Sequence, residues 1–480
     1  MIPLTLVSPE SMGVTSESIH SFLEELSQSR IPMHSLLIAR RNRLIFETYF
    51  SPCQKDELHR MFSISKSFSS LAIGLLAEEG NIHLDDTIIQ YFPEYAPKNA
   101  HPWLANMTIR DMLKMQTCHT TTTYKINPHK NWVESFFTTK PSHPSGEVFL
   151  YDTSSSHTLC ALVEKLTKMP LIEYLKKKIL NPIGCSGDAY FLSDPFGTSM
   201  GGTGLMMSSR DLMRVSILIS NHGRTPDGLQ LLPEAYLKEA TSWQTDTQLT
   251  APSLEESQGY GYQFWRTRHN GFVCYGMGGQ YALFLPDYDL ILITTADTQE
   301  QKYGNQLIFN AFYRHILPAL SDHSLPENRE ATQLLEKTCC RLSLPIVKGN
   351  LTSSFAHTIS KHTLIVSESN APFSQCSITL NEDQTGSLCL YWNNTWYKIS
   401  FGIGKLVTGI FPIYNQYYAA SAAWTEETSL YLNCQLIDQY VGMIHFYFYF
   451  GENHFTLFMK KTVEDSFSEF QGFFTGTISK

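Results

Sequence analysis

The stretch Met61-Phe62-Ser63-Ile64-Ser65-Lys66-Ser67-Phe68 carries the pattern that decides the fold of this 480-residue chain. A serine three residues before a lysine lies on the same face of a helix, so the two side chains can reach each other by a hydrogen bond. Apolar residues then recur at three- and four-residue spacing up to Gly80, a residue type that often follows a helix end. The pattern predicts a helix over residues 63–79.

Ser63 falls in the first turn of this helix, where free backbone N–H groups and the helix dipole stabilise developing negative charge. A serine hydroxyl is a poor nucleophile without a base. Lys66 can be that base if burial or a neighbouring positive charge lowers its pKa towards neutrality. A capping serine beside a solvated lysine would show the same pattern, so the pair alone leaves both interpretations open.

A second segment, residues 144–156, contains Tyr151-Asp152-Thr153. A turn and a short extended run place Tyr151 directly before a helix that opens among serines, which suits a phenol aimed into a cleft. A tyrosine beside an ammonium group loses its proton more easily, so Tyr151 is a candidate general acid and base.

A third segment is Val273-Cys274-Tyr275-Gly276-Met277-Gly278-Gly279-Gln280-Tyr281. Three glycines at the end of a predicted strand permit close backbone approach, as a substrate-lining edge or an oxyanion hole requires. Other side chains are candidates for the lining of the same cleft, although a plain packing role explains each equally well. They are His119, Trp132, Phe136, Phe137 and Trp265.

In this order, Ser63-x-x-Lys66, Tyr151-x-Thr153 and the glycine-rich edge at Gly276 resemble the penicillin-recognising serine hydrolases. That superfamily contains the class C β-lactamases, the DD-peptidases and related esterases and amidases. The resemblance covers about residues 8–320, and shorter phrases add to it. They are residues 8–13 (SPESMG), 84–86 (LDD), 107–113 (MTIRDML), 201–205 (GGTGL) and 209–212 (SRDL).

The resemblance implies an α+β domain of three α/β/α layers with an antiparallel sheet. It also implies that Ser63 attacks an ester or amide carbonyl to form an acyl-enzyme, while Lys66 and Tyr151 move protons. The N–H groups of Ser63 and Met277 would hold the oxyanion. The remaining residues that would face the substrate are Gly276, Gly278, Thr153 and Trp265.

Two departures from the superfamily pattern bear on the substrate. The second motif usually ends in Asn, but Thr153 stands there, and Cys274 and Tyr275 replace the usual cation and hydroxyl of the third motif. No cation then stands ready for a substrate carboxylate. These changes favour an esterase or amidase that acts on a small molecule. The alternatives are a β-lactamase or D-Ala-D-Ala carboxypeptidase, and a catalytically weak ligand-binding protein on the same fold.

The pattern of predicted helices and strands divides the chain into residues 1–322 and 323–480. The first part has a predicted hairpin over residues 34–50, then helices, then strands near residues 272–295, which indicates a layered domain whose sheet joins both ends. The second part alternates aromatic and β-branched runs with turns, which predicts a mostly antiparallel sandwich or small barrel of unknown role.

Composition and charge narrow the partners. A net charge of −9 without long like-charge runs argues against nucleic-acid binding. Apolar runs are too short to span a membrane, and the start resembles no signal peptide, so we expect a cytoplasmic protein. The ten cysteines lack C-x-x-C spacing and are expected to be free thiols. We expect no metal and no cofactor, and the sequence leaves the oligomeric state open.

Overall fold

The computed structural model of this chain describes residues 1–126, 128–251, 253–360, 362–367, 371–463 and 469–479. The chain forms two compact units, residues 1–50 with 54–342, and residues 51–53 with 343–480. This division lies later than the predicted boundary between residues 322 and 323. The reason is that helix Arg329–Cys339 packs against helix Ser16–Gln28 and adds Leu335 to the same apolar core.

Helices are more abundant than strands in the N-terminal unit. Across the described residues, no helix is both long and apolar enough to cross a membrane. The α-helices are α1 (Ser16–Gln28), α2 (Ile64–Glu78), α3 (Pro102–Ala105), α4 (Ile109–Leu113), α5 (Thr123–Ile126), α6 (Trp132–Thr138), α7 (Thr153–Thr167), α8 (Leu171–Leu175), α9 (Asn181–Ile183), α10 (Ser209–Ser220), α11 (Glu234–Thr241), α12 (Gly304–His315) and α13 (Arg329–Cys339). Short 3-10 turns lie at Glu10–Met12, Ile88–Tyr91, Glu256–Gln258, Pro286–Tyr288 and Leu317–Ala319, and a π turn lies at Lys176–Leu180.

A six-stranded antiparallel sheet forms the middle layer of this unit, in the order β2-β1-β9-β8-β7-β6. A second, three-stranded sheet has the order β3-β5-β4. The strands are β1 (Met33–Arg40), β2 (Arg43–Tyr49), β3 (His59–Arg60), β4 (Tyr190–Phe191), β5 (Leu205–Met207), β6 (Trp265–Thr267), β7 (Gly271–Gly276), β8 (Gln280–Leu285) and β9 (Leu290–Ala296). Because β1 pairs with β9, the N-terminal hairpin joins the late strands in one sheet, as the sequence predicted.

Apolar cores lie on both faces of the six-stranded sheet. Side chains alternate along β1, so Leu37 and Ala39 enter the core that contains α2, α7 and α10. Leu36 and Ile38 enter the opposite core, which contains α1 and α12. The three-layer α/β/α architecture with an antiparallel sheet is therefore confirmed.

Helix α2 lies at the centre of the unit and is buried from Ile64 to Leu76, although its sequence is rich in serine. The buried hydroxyls donate to backbone carbonyls of neighbouring segments. Ser67 donates to Gln263 at 2.7 Å, and Ser69 donates to Gly201 at 2.8 Å. Buried hydroxyls must be paired in this way, and these bonds fix the start of α2 against the segments around it.

The C-terminal unit is a closed, mostly antiparallel barrel, which decides between the two predicted all-β forms. Nine strands close through a short parallel pairing of β13 with β15, at Gly402 with Ser421, and β14 pairs with β15 outside the closure. One apolar core fills it. The elements are α14 (Ala356–Ile359), β10 (Thr363–Val366), β11 (Gln375–Leu380), β12 (Thr385–Trp392), β13 (Thr395–Ile403), β14 (Val407–Phe411), β15 (Gln416–Glu426), β16 (Ser429–Ile437), β17 (Val441–Phe450), β18 (His454–Lys461) and β19 (Gly472–Ile478).

Candidate active site

Ser63 lies directly before α2, at its N-cap position, one residue outside the helix in which the sequence pattern placed it. The preceding residue, Phe62, has a φ of 44°, in the left-handed region that bulky side chains rarely adopt. The Met61 N–H donates to the Leu205 carbonyl of β5 at 2.8 Å and anchors this turn. A strained residue held by its surroundings is frequent at functional sites, because it fixes the direction of the next side chain.

Lys66 contacts Ser63 as the helical spacing requires. Its Nζ donates to Ser63 Oγ at 2.9 Å and to the Gly202 carbonyl at 2.6 Å. The side chain is only 1% exposed, and burial lowers the Lys66 pKa to about 7, helped by Lys125 and opposed by Asp152. A substantial fraction of the amine is then neutral near pH 7, and a neutral amine can accept the Ser63 proton.

Tyr151 lies on the other side of Ser63 and forms a hydrogen bond with it. Its ring stacks on Trp265 with centroids 5.5 Å apart, and Lys66 Nζ lies 4.8 Å from the ring centroid. The residue is 37% exposed, so the ring borders an open cleft.

The prediction that the ammonium group would ease deprotonation of Tyr151 is wrong. Desolvation raises the pKa of the Tyr151 phenol above its ordinary value, and the hydrogen bonds with Ser63 and Trp265 only oppose that shift. The physical reason is the burial of the phenol, which disfavours its anionic form. Tyr151 is therefore a neutral phenol that can donate a proton or pass one on.

Asp152 is the site residue that the sequence reasoning missed. It is 0% exposed, and its Oδ1 accepts from the Ser154 N–H at 2.8 Å and from the Ser154 hydroxyl. Its Oδ2 is buried and has no hydrogen-bond partner among the described residues. Burial raises the Asp152 pKa to about 6. The signal available in the sequence was an Asp at a helix N-cap, next to the candidate acid and base.

The glycine-rich edge approaches the nucleophile segment as predicted. Gly276 ends β7, and a Cβ at this position would lie 2.4 Å from the Met61 carbonyl oxygen, so only glycine fits. The next residue, Met277, lies in the turn to β8 and is 47% exposed. Gly278 has a φ of 82°, and a Cβ there would lie 2.9 Å from Gln280 Nε2. Gly276 is thus the edge residue that approaches the segment of Ser63.

The other predicted lining residues separate into two groups. Trp265 stacks on Tyr151 and belongs to the cleft wall, while Thr153 begins α7 and donates its N–H to Thr122 Oγ1 at 3.2 Å. The second group consists of three buried side chains and the half-buried Trp132. In this group, Phe136 and Phe137 belong to the core, Trp132 stacks on Tyr124 at 4.0 Å, and burial lowers the His119 pKa to about 4.

Cys274 and Tyr275, the two departures in the third motif, each form side-chain hydrogen bonds. Cys274 is buried against α2 and forms a hydrogen bond with Ser67. The Tyr275 hydroxyl accepts from Asn305 Nδ2 at 2.7 Å and forms a hydrogen bond with Glu256. Cys274, which stands where the superfamily has a cation, therefore supplies none, while a phenol and a carboxylate meet on the opposite face of β7. Among the described residues, no cluster of His, Cys, Asp and Glu has the geometry of a metal site.

A nucleophile–lysine pair at a helix start, under an antiparallel sheet edge, defines a serine hydrolase of the Ser-x-x-Lys type. The sequence profile of the Beta-lactamase family matches residues 19–311, and the chain belongs to this family. It is thus a hydrolase of the Beta-lactamase family, as the motifs predicted.

Individual relatives are distant. A 6-aminohexanoate-dimer hydrolase from Paenarthrobacter ureafaciens is 22% identical over 282 residues, which are 54% of this chain and 71% of that protein. Protein flp from Staphylococcus aureus is 24% identical over 188 residues, 35% of this chain and 37% of its own length. The crystal structure of a penicillin-binding protein homologue from Caulobacter crescentus superposes with a TM-score of 0.50 at 16% identity, covering 62% of this chain and 94% of that one. The structural likeness shows the fold alone.

Proposed function

We propose that this hydrolase cleaves a small ester or amide through an acyl-enzyme on Ser63. The observation that carries the proposal is the 2.9 Å contact between Lys66 Nζ and Ser63 Oγ, made by an amine whose pKa is about 7. A buried amine that is partly neutral at this distance is a competent general base for a serine hydroxyl.

In the first step Ser63 Oγ bonds to the carbonyl carbon, and its proton passes to the neutral Lys66 amine. The negative oxygen that forms would accept from the N–H groups of Ser63 and Met277. The C–O or C–N bond then breaks as the leaving group takes a proton, which the Tyr151 hydroxyl, bonded to Ser63, would relay from Lys66. Water adds to the acyl-enzyme in the reverse sense, releases the acid and restores Ser63.

The chemistry of the cleft favours substrates without a carboxylate next to the scissile bond. Cys274 supplies no cation at the third motif, and Glu256, whose charge reaches Tyr151, would repel a carboxylate in the cleft. The matched relative from Paenarthrobacter ureafaciens is a hydrolase of a 6-aminohexanoate dimer. This supports a small linear amide as one substrate type, beside simple esters.

Two covalent probes test the proposal. We expect a fluorophosphonate to label the protein at Ser63 and a fluorescent penicillin to leave it unlabelled, because no cation awaits the penicillin carboxylate. Ser63→Ala should abolish the fluorophosphonate reaction, while Ser65→Ala should retain it. Labelling by penicillin would overturn the substrate class, and a folded protein that reacts with neither probe would be a ligand-binding protein instead.

A further inference from the structure

The buried carboxylate of Asp152 carries a larger desolvation penalty than its role as the cap of α7 requires. Oδ1 caps α7 through Ser154, and Ser, Thr or Asn would serve that purpose equally well. A buried, unpartnered carboxylate oxygen such as Oδ2 carries a desolvation penalty that a neutral cap avoids. The negative charge at this position therefore needs a function other than capping.

The charged groups that face Lys66 show what that function is. The start of α7 packs against the residue that binds the amine, because a Cβ on Gly202 would lie 3.0 Å from the Thr153 carbonyl oxygen. From this position Asp152 favours the ammonium form, whereas Lys125 on α5 opposes it. Tyr151 presents only its ring face. Since burial alone would drive the amine towards neutrality, the Asp152 charge is the group that keeps Lys66 able to hold a proton as well as to take one.

The field of Asp152 also reaches other titratable groups beside the cleft. It contributes to the raised pKa of the Cys118 thiol and the Tyr124 phenol, which face it from neighbouring segments. Neither of these is a cation, whereas Lys66 is one, and its charge in turn lowers the Asp152 pKa.

We propose that Asp152 is a positioning residue whose buried carboxylate sets the protonation of Lys66 during the reaction. The inference rests on the proposed function of Ser63 and Lys66. An amine that must accept the Ser63 proton and then return it to a leaving group works best when both protonation states are accessible at the working pH. Asp152 supplies the charge that balances the two states.

The test is an NMR titration of Lys66 in the full chain. The protein is labelled with ¹³C-lysine, and the Cε resonance of Lys66, assigned with the Lys66→Met variant, is recorded as a function of pH. Asp152→Asn keeps the oxygen that caps α7 and removes the charge, and Asp152→Ser does the same with a shorter side chain. We expect the titration midpoint to fall by about one pH unit, a tenfold change in the proton equilibrium. The matched control Ser154→Ala alters the cap, keeps the carboxylate and should move the midpoint much less.

The pH dependence of fluorophosphonate labelling at Ser63 gives the second readout. In Asp152→Asn its acid limb should move to lower pH with Lys66, by the same amount. An unchanged Lys66 midpoint in both Asp152 variants would overturn the proposal and leave Asp152 as a helix cap. If the parent protein does not react at Ser63, the proposed function fails, and the titration of Lys66 still decides the role of Asp152.

Discussion

Lys66 Nζ lies 2.9 Å from Ser63 Oγ while the same nitrogen donates to the Gly202 carbonyl at 2.6 Å. The carbonyl fixes the amine without adding a negative charge, so it does not raise the Lys66 pKa as a carboxylate contact would. Burial then brings the amine near neutrality at pH 7. This contact is the basis of the acyl-transfer chemistry proposed for the chain.

Replacement of Lys66 should separate charge from basicity. Lys66→Arg keeps a positive charge, but its guanidinium stays protonated and cannot accept the Ser63 proton. We expect the rate of Ser63 acylation to fall by about 10²-fold or more, with Lys66→Ala similar. The rates are measured by stopped-flow release of p-nitrophenol from an ester. An arginine variant that retains most of the activity would show that Lys66 acts only through its charge.

The pH profile of the parent enzyme should follow the same group. Because the neutral amine is the active form, acylation should decline about tenfold for each pH unit below about 7. Because the pKa of Tyr151 is raised, ionisation of this phenol should not reduce the acylation rate until the pH exceeds the ordinary pKa of a tyrosine. A plateau that continues to about pH 5 would contradict the assignment of Lys66 as the base.

Tyr151→Phe isolates the phenol hydroxyl from the ring. The ring stack on Trp265 remains, while the hydrogen bond to Ser63 is lost. We expect kcat to drop about 10²–10⁴-fold, with a loss of unfolding free energy of only about 1 kcal/mol. Thermal unfolding provides the control, and Trp265→Leu tests the stack separately. An unchanged kcat would remove Tyr151 from the proton path.

Substrate charge should discriminate at the side of the cleft that holds Glu256 and Tyr275. We compare p-nitrophenyl esters of γ-aminobutyrate, valerate and glutarate, which have similar lengths and end in an ammonium, a methyl and a carboxylate group. We expect kcat/KM to decrease in that order. Glu256→Gln should reduce the differences in kcat/KM among the three esters and leave the value for the valerate ester unchanged. A preference for the carboxylate ester would contradict the proposed substrate class.

Stability should depend on pH through a buried histidine pair. His34 Nδ1 lies 2.7 Å from His59 Nε2, and burial together with His59 holds the His34 pKa well below its ordinary value. The unfolded chain then binds a proton that the folded chain does not. The unfolding free energy should therefore fall as the pH drops below about 6.5, by up to about 1.4 kcal/mol per unit. Thermal unfolding of His34→Gln should show a flatter pH dependence, and an identical slope would exclude this pair as the cause.

Local sequence pattern was sufficient for the helix that carries Ser63 and Lys66, because the spacing of its apolar residues defines its face and start. The hairpin β1–β2 and its position beside β9 could also be predicted. The alternating apolar pattern indicates the strands, and a layered α/β domain joins its terminal strands in one sheet.

Features that depend on distant contacts could not be predicted in this way. Gly202 receives the Lys66 hydrogen bond across 136 positions of the chain. The burial of Asp152, which raises its pKa, is decided by the packing of α7 and not by its neighbours in sequence. The closure of the barrel depends on a two-residue parallel pairing between β13 and β15. No local pattern marks any of these.

Trapping the acyl-enzyme tests most directly whether Ser63 is the nucleophile. The protein is mixed with p-nitrophenyl acetate, quenched in acid during the first turnover, and analysed by intact mass and by fragmentation of the peptide that contains both Ser63 and Ser65. We expect a gain of one acetyl group on Ser63, absent in Ser63→Ala and retained in Ser65→Ala. An acetyl group on another residue, or ester turnover that survives in Ser63→Ala, would contradict it.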